Sequence, residues 1–147
     1  MRAKGYGSMS RSWFPTVVAA LFMAVTLPAM AQGKVPLAEE GHINEQLIAA
    51  AAGDMLRQTC PSISARMLVV LLKMRDLESY ARSQGYTEAE VDVFLKSKAE
   101  KARVKAAATQ YLAAAGVVPG DVDSYCAAGR AEIAKGTLVG SLLRSSE

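Results

Sequence analysis

Two capping boxes ten residues apart, Thr87-Glu88-Ala89-Glu90 and Ser97-Lys98-Ala99-Glu100, commit the middle of this chain to helix. In each, a hydroxyl and a glutamate satisfy backbone N–H groups that a helix start leaves unpaired. The first opens a short helix carrying Val91, Phe94 and Leu95. The second ends that helix and starts an alanine-rich one with Tyr111 and Leu112, a single kinked helix over 88–115 being the alternative. Small side chains bury little area each, so the alanine-rich helix depends on its neighbours.

The same punctuation runs in both directions. Upstream, Leu47, Ile48, Ala51, Met55 and Leu56 recur at helical spacing behind Asn44, a suitable N-cap, and Pro61 predicts a stop near Thr59. Cys60-Pro61-Ser62-Ile63-Ser64 reads as a tight junction in which either serine caps a second helix. The stripe of that helix runs Ile63, Met67, Val70, Leu71, Met74, Leu77 and Tyr80 or Ala81, which predicts a core-facing side that includes the methionines. Gly85 ends it as a left-handed cap, with Tyr86 folding back on the last turn. Downstream, Asp121 caps a fifth helix bearing Val122, Tyr125, Cys126, Gly129 and Ile133. Gly136 breaks the chain, and Thr137 caps a terminal segment with Leu138, Val139, Leu142 and Leu143. Nowhere does a strand suggest itself. The expected fold is all-α, a compact bundle of five to six short helices over residues 43–144, with a flexible lead-in at 32–42 and a frayed end at 145–147.

Residues 1–31 read as a cleavable signal peptide that precedes the bundle as a signal helix. A basic stretch ends at Arg11, an apolar run covers Trp13 to Leu27, and Pro28 breaks it. Ala29 and Ala31 then offer the small side chains that a signal peptidase accommodates, making Gln32 the first mature residue. An uncleaved membrane anchor is disfavoured by Pro15, Pro28 and the Ala-x-Ala site. No cysteine follows the site to carry a lipid, so the expected product has no stable membrane anchor and is periplasmic or secreted. Removing the leader also removes Arg2, Lys4 and Arg11 from a chain with 17 basic and 14 acidic residues. The remainder is balanced, and nonspecific binding to nucleic acid loses its electrostatic basis.

Export places Cys60 and Cys126 where thiols are oxidised, so one disulfide between them is expected. Closing a loop of about 66 residues is worth roughly 4 kcal/mol by chain entropy, as an upper figure. The bridge would staple the corner after the first helix to the fifth.

Reactive groups are sparse. His42 is the only histidine and stands beside the lead-in, poorly placed as a general base. Two separated cysteines and one histidine give no zinc spacing, and phosphate-binding glycine loops are absent from the sequence. No catalytic residue, cofactor or metal ligand is assigned. The sharpest enzymatic alternative is a thiol-disulfide factor using Cys60, if that cysteine stands ahead of a helix N-terminus that stabilises its thiolate. The alternating charges between Glu88 and Lys105 suit a solvated surface better than a docking face. Met55, Met67 and Met74 fit a core better than an adaptable groove.

The segments Cys60-Pro61-Ser62-Ile63-Ser64-Ala65-Arg66, Ala99-Glu100-Lys101-Ala102-Arg103, Ser124-Tyr125-Cys126 and Gly129-Arg130-Ala131-Glu132-Ile133 together resemble an uncharacterised family of small exported bacterial proteins, a domain of unknown function. The resemblance spans residues 43–144. It implies export and the pairing of Cys60 with Cys126, and brings no activity, substrate or catalytic residue. The leading functional expectation is an exported, non-enzymatic binding or envelope-associated protein with an unknown protein partner. A periplasmic stress holdase and the Cys60 redox factor are the alternatives.

Overall fold

A computed structural model of the protein describes residues 33–146. Ala29, Ala31 and Gln32, the expected cleavage site, lie outside the described residues. Within them the elements are α1 (Gly41–Thr59), β1 (Ile63–Ala65), α2 (Met67–Ser83), α3 (Glu88–Lys96), α4 (Lys98–Ala114), α5 (Val122–Lys135), α6 (Leu138–Ser141) and β2 (Leu143–Ser145). The mostly helical expectation holds, with one amendment: a two-stranded antiparallel sheet pairs Ile63 with Ser145, Ser64 with Arg144 and Ala65 with Leu143.

The core is built around α1. Ala52, Leu56 and Cys60 on one stripe are fully buried, against Ala108 and Leu112 of α4. Of the alanines in α4, Ala108 is the one sealed inside, while Ala113 and Ala114 face solvent, so most of them contribute helix propensity and not packing. Cys60 and Cys126 form a disulfide with their Cα atoms 5.1 Å apart, tying the C-cap of α1 to α5. Beside it, Ile63 fills the space over Gly129, where an added Cβ would stand 3.0 Å from the isoleucine Cγ1. A smaller cluster joins Ile43, Ala81 and Tyr86, with Leu77 and Tyr80 packed around them.

Most helix ends follow the sequence. Thr87 and Glu90 form a reciprocal capping box. Ser97 leaves helical geometry (φ −61°, ψ 123°) and caps α4 through the Glu100 N–H, so α3 and α4 are separate helices. Gly85 (φ 84°) closes α2, with the Tyr86 N–H bonded to the Ala81 carbonyl in a Schellman arrangement. Asp121 and Thr137 cap α5 and α6.

The structure departs from the sequence reading in three places. The first helix starts at Gly41, ahead of the expected cap Asn44, because the Glu40 carboxylate accepts from the Ile43 N–H. Asn44, expected as the cap, instead lies inside α1 and donates to the carbonyls of Leu37, Ala38 and Glu40. The stretch before α1 is docked: Leu37–Glu39 form a 3-10 turn, Tyr86 donates to the Val35 carbonyl, and Lys34 pairs with Glu90 at 2.6 Å. At the other end, residues expected to fray are paired. Arg144 donates to Ser64 and the Ser146 N–H to the Ser62 carbonyl. Finally, neither junction serine caps α2. Ile63 is spent on β1, α2 begins four residues later, and its N-cap Arg66 makes no side-chain capping bond.

Candidate functional site

That late start decides which side chains α2 presents. Its C-terminal half is anchored: Leu77, Tyr80 and Ala81 join the smaller cluster, and the Tyr80 hydroxyl donates to Glu40 at 2.9 Å. Burial works against ionisation of Glu40, but bonds from Ile43 and Tyr80 outweigh it and hold the carboxyl below its ordinary range. Tyr80, bonded to that carboxylate, is correspondingly harder to ionise.

The N-terminal half has much less cover. Met67 is 65% exposed, Leu68 72%, Met74 55%, and Leu71 and Leu72 each 50%. Spacings of three and four make these neighbours on the helix surface, so they form one apolar patch and not scattered residues. This corrects the expectation for the stripe: Met67, Leu71 and Met74 lie outside the core, while Met55 packs against it as expected. The cause is the register. With Ile63 held by β2, Val70, Leu77 and Ala81 turn inward, and the leucines between them turn out.

Beside the patch, a groove of about 430 Å³ opens between α1 and the start of α2. Ala50, Gly53, Val70 and Leu143 line its apolar floor, Met67 its edge, and the Asp54–Arg57 ion pair its rim. Arg66 and Arg144 stand beside Met67 and Leu68. Arg66 donates to the Ser141 carbonyl and Arg144 to Ser64, and among the described residues neither is in an ion pair.

The expected redox and acid–base groups are not brought together. Cys60 is fully buried in its disulfide and caps the C-terminus of α1, seven residues before α2 begins. The helix end beside it carries partial negative charge, so the thiolate-stabilising geometry that the redox alternative needs is missing. His42 stacks on Tyr80, ring centroids 4.4 Å apart. The charges from Glu88 to Lys105 include local pairs, Lys96 with Asp92 and Arg103 with Glu100. Among the described residues no group of three His, Cys, Asp or Glu side chains could hold a metal. No helix among them is long and apolar enough to cross a membrane.

Sequence reasoning missed one buried polar cluster. Glu132, 4% exposed, accepts from Tyr111 at 2.6 Å and from the Thr137 hydroxyl. Burial, then the neighbouring carboxylate, makes Tyr111 harder to ionise. Both hydroxyls donate to the same carboxylate oxygen, Glu132 Oε2, which makes it a tie between α4, α5 and the Thr137 cap of α6. The only hint in the sequence is a glutamate at an inward position of α5.

Residues 35–144 match the model of a family of unknown function, DUF5333. The chain belongs to DUF5333. The match covers the whole helical unit from the docked segment before α1 to the first residues of β2, so the disulfide and the α2 patch both fall within the DUF5333 domain. No curated protein and no solved structure matches the chain.

Proposed function

We propose that this DUF5333 domain is an exported, non-enzymatic interaction protein of the bacterial envelope that binds through the N-terminal half of α2. The observation that carries the reading is the outward-facing run of Met67, Leu68, Leu71 and Leu72 on a helix whose other half is anchored. Leaving such side chains in water forfeits roughly 1 to 2 kcal/mol each. A patch of this kind marks an interaction site in a folded protein. The disulfide supports an oxidising compartment, in line with the leader-like N-terminus.

The test is a photo-crosslinking amino acid at Leu72, with Val118 on the loop before α5 as the control position, both exposed. Irradiation of cells exporting the protein is expected to yield adducts from position 72 and not from 118. Equal or absent adducts at both would remove the reading.

The same leucines favour holdase activity as a second reading. It predicts that Leu68→Ser/Leu72→Ser loses suppression of client aggregation while the melting temperature stays within a few degrees.

A further inference from the structure

Apart from the α2 patch and independent of it, we propose that the seam between α1 and α4 is a binding site for a small amphiphilic monocarboxylate of the fatty-acid class. Its tail lies among the apolar side chains of α1, α3 and α4, and its head meets Lys105.

Two cavities meet along this seam. The first, of about 200 Å³, is walled by Leu47 and Ala51 of α1, Phe94 and Leu95 of α3 and Val104 of α4. The second, of about 440 Å³, is lined by Asp54, Gln58 and Thr59 of α1 and by Tyr125 of α5. Ala51 and Lys105 belong to both walls, so the apolar space opens into the polar one and Lys105 stands where they join. The spacing of α1 makes the gradient: Leu47 and Ala51 are followed on the same face by Asp54 and then by Gln58. Apolar walls with a few convergent polar groups are the composition of a small-molecule site.

The size of the apolar end sets the tail. A cavity of about 150 Å³ holds a benzene molecule, so the space here takes a single chain of roughly eight carbons and excludes the paired long chains of a phospholipid.

The polar end sets the head. Among the described residues the Lys105 ammonium is in no ion pair, and the hydroxyls of Thr59 and Tyr125 make no hydrogen bond. Asp54 is already engaged: Arg57 pairs with one carboxylate oxygen, and Gln58 donates to the other at 2.5 Å. Lys105 is thus the one unbalanced full charge of the polar wall, with two hydroxyls beside it to donate. That set suits a head with a single negative charge and only acceptor oxygens, which is a carboxylate. A phosphate monoester would bring nearly two charges to a wall that offers one. Glu100 and Lys101 line the apolar cavity too, yet Glu100 is paired with Arg103 at 2.7 Å and no hydroxyl or amide side chain joins Lys101 in that wall.

The probe is sodium octanoate, titrated into the disulfide-bonded, isotope-labelled protein and followed by amide and methyl chemical shifts. Saturable shifts are expected at Leu47, Val104 and Thr59, and none at Met67 or Leu68 of the α2 patch. Acetate, which is the head alone, should leave them in place. Octanol, which lacks the charge, and octylamine, which reverses it, should bind about tenfold more weakly or worse. Lys105→Gln, an exposed change checked for an unaltered melting temperature, should weaken octanoate about tenfold and leave octanol unchanged. Lys98→Gln, exposed on the same helix and outside both walls, should change neither. No saturable shift at the seam overturns the proposal. So does octanol matching octanoate with Lys105→Gln without effect, which would mean apolar partition alone. Tighter binding of octylamine or of octyl phosphate would assign the head site to a cation or a phosphate and overturn the carboxylate. Shifts confined to Met67 and Leu68 would place the ligand on the α2 patch and also overturn it.

Discussion

Gly140 lies so close to the backbone of Glu132 that a Cβ added to it would stand 2.0 Å from the Glu132 carbonyl oxygen and 2.3 Å from its carbon. The neighbour is helix backbone and cannot swing aside. Gly140→Ala is therefore expected to separate α6 from α5 and to cost about 3 kcal/mol. Gly53, also buried in the fold, is the contrast. Its added Cβ would meet Leu143 Cδ2 at 3.7 Å, ordinary contact, so Gly53→Ala in the middle of α1 should gain roughly 0.5 to 1 kcal/mol. Urea unfolding of both variants reads the difference, and equal effects would contradict the packing described.

The cystine joins the end of α1 to α5 across most of the domain. Cys60→Ser/Cys126→Ser is expected to lose as much as about 4 kcal/mol, the chain-entropy ceiling for such a loop. Because Cys60 is fully buried, reductant at room temperature should act slowly, and its effect should appear as a lowered melting temperature. Melting unchanged by reductant would mean that the bridge contributes nothing to stability.

Tyr111→Phe removes one donor to the buried Glu132 carboxylate and is expected to cost about 1 to 3 kcal/mol. Glu132→Gln keeps an acceptor and should be milder than Glu132→Ala, which leaves the hydroxyls of Tyr111 and Thr137 without it. The phenol pKa is raised in the fold. Its contribution is thus complete below the ordinary tyrosine value near pH 10 and is lost as pH rises through the raised one. Tyr80 and Tyr86 shift the same way. Alkaline unfolding should accordingly track phenolate absorbance, and Tyr111→Phe should remove part of it.

Glu90 accepts from Lys34, from the Thr87 N–H and from the Thr87 hydroxyl, and the ammonium first among these holds its carboxyl at about 2, down from 4.5. A depressed carboxylate contributes stability in full above its unfolded value, and that contribution disappears as pH falls from about 4.5 to about 2. Glu90→Gln is expected to flatten this part of an acid titration and to release the segment around Lys34. Faster amide exchange at Val35 to Leu37 at neutral pH is the measurement.

Local chemistry made most helix boundaries legible, because the groups that end a helix are neighbours in sequence. Thr87 finds Glu90 three residues away, Gly85 needs only its own left-handed conformation, and Asp121 needs only the next turn. The departures at the α1–α2 junction and at the C-terminal end have distant partners, whereas the early start of α1 rests on the local Glu40 cap. Ser64 becomes a strand residue because Arg144 pairs with it, and that pairing displaces the start of α2 and rotates its apolar residues outward. Periodicity reports that one side of α2 is apolar, but it cannot distinguish a side that is packed from one that is presented. The patch was therefore visible as residues and invisible as a surface.

The disulfide also makes a closed ring of the chain, with α2, α3 and α4 strung between its two cysteines. A protease that cuts once anywhere between Cys60 and Cys126, the exposed start of α2 included, opens the ring without releasing either piece. The nicked molecule would run as one band on a gel until reductant is added, then as two. A host protease that clips the most accessible helix would leave the α1 and α5 ends of the core still covalently joined.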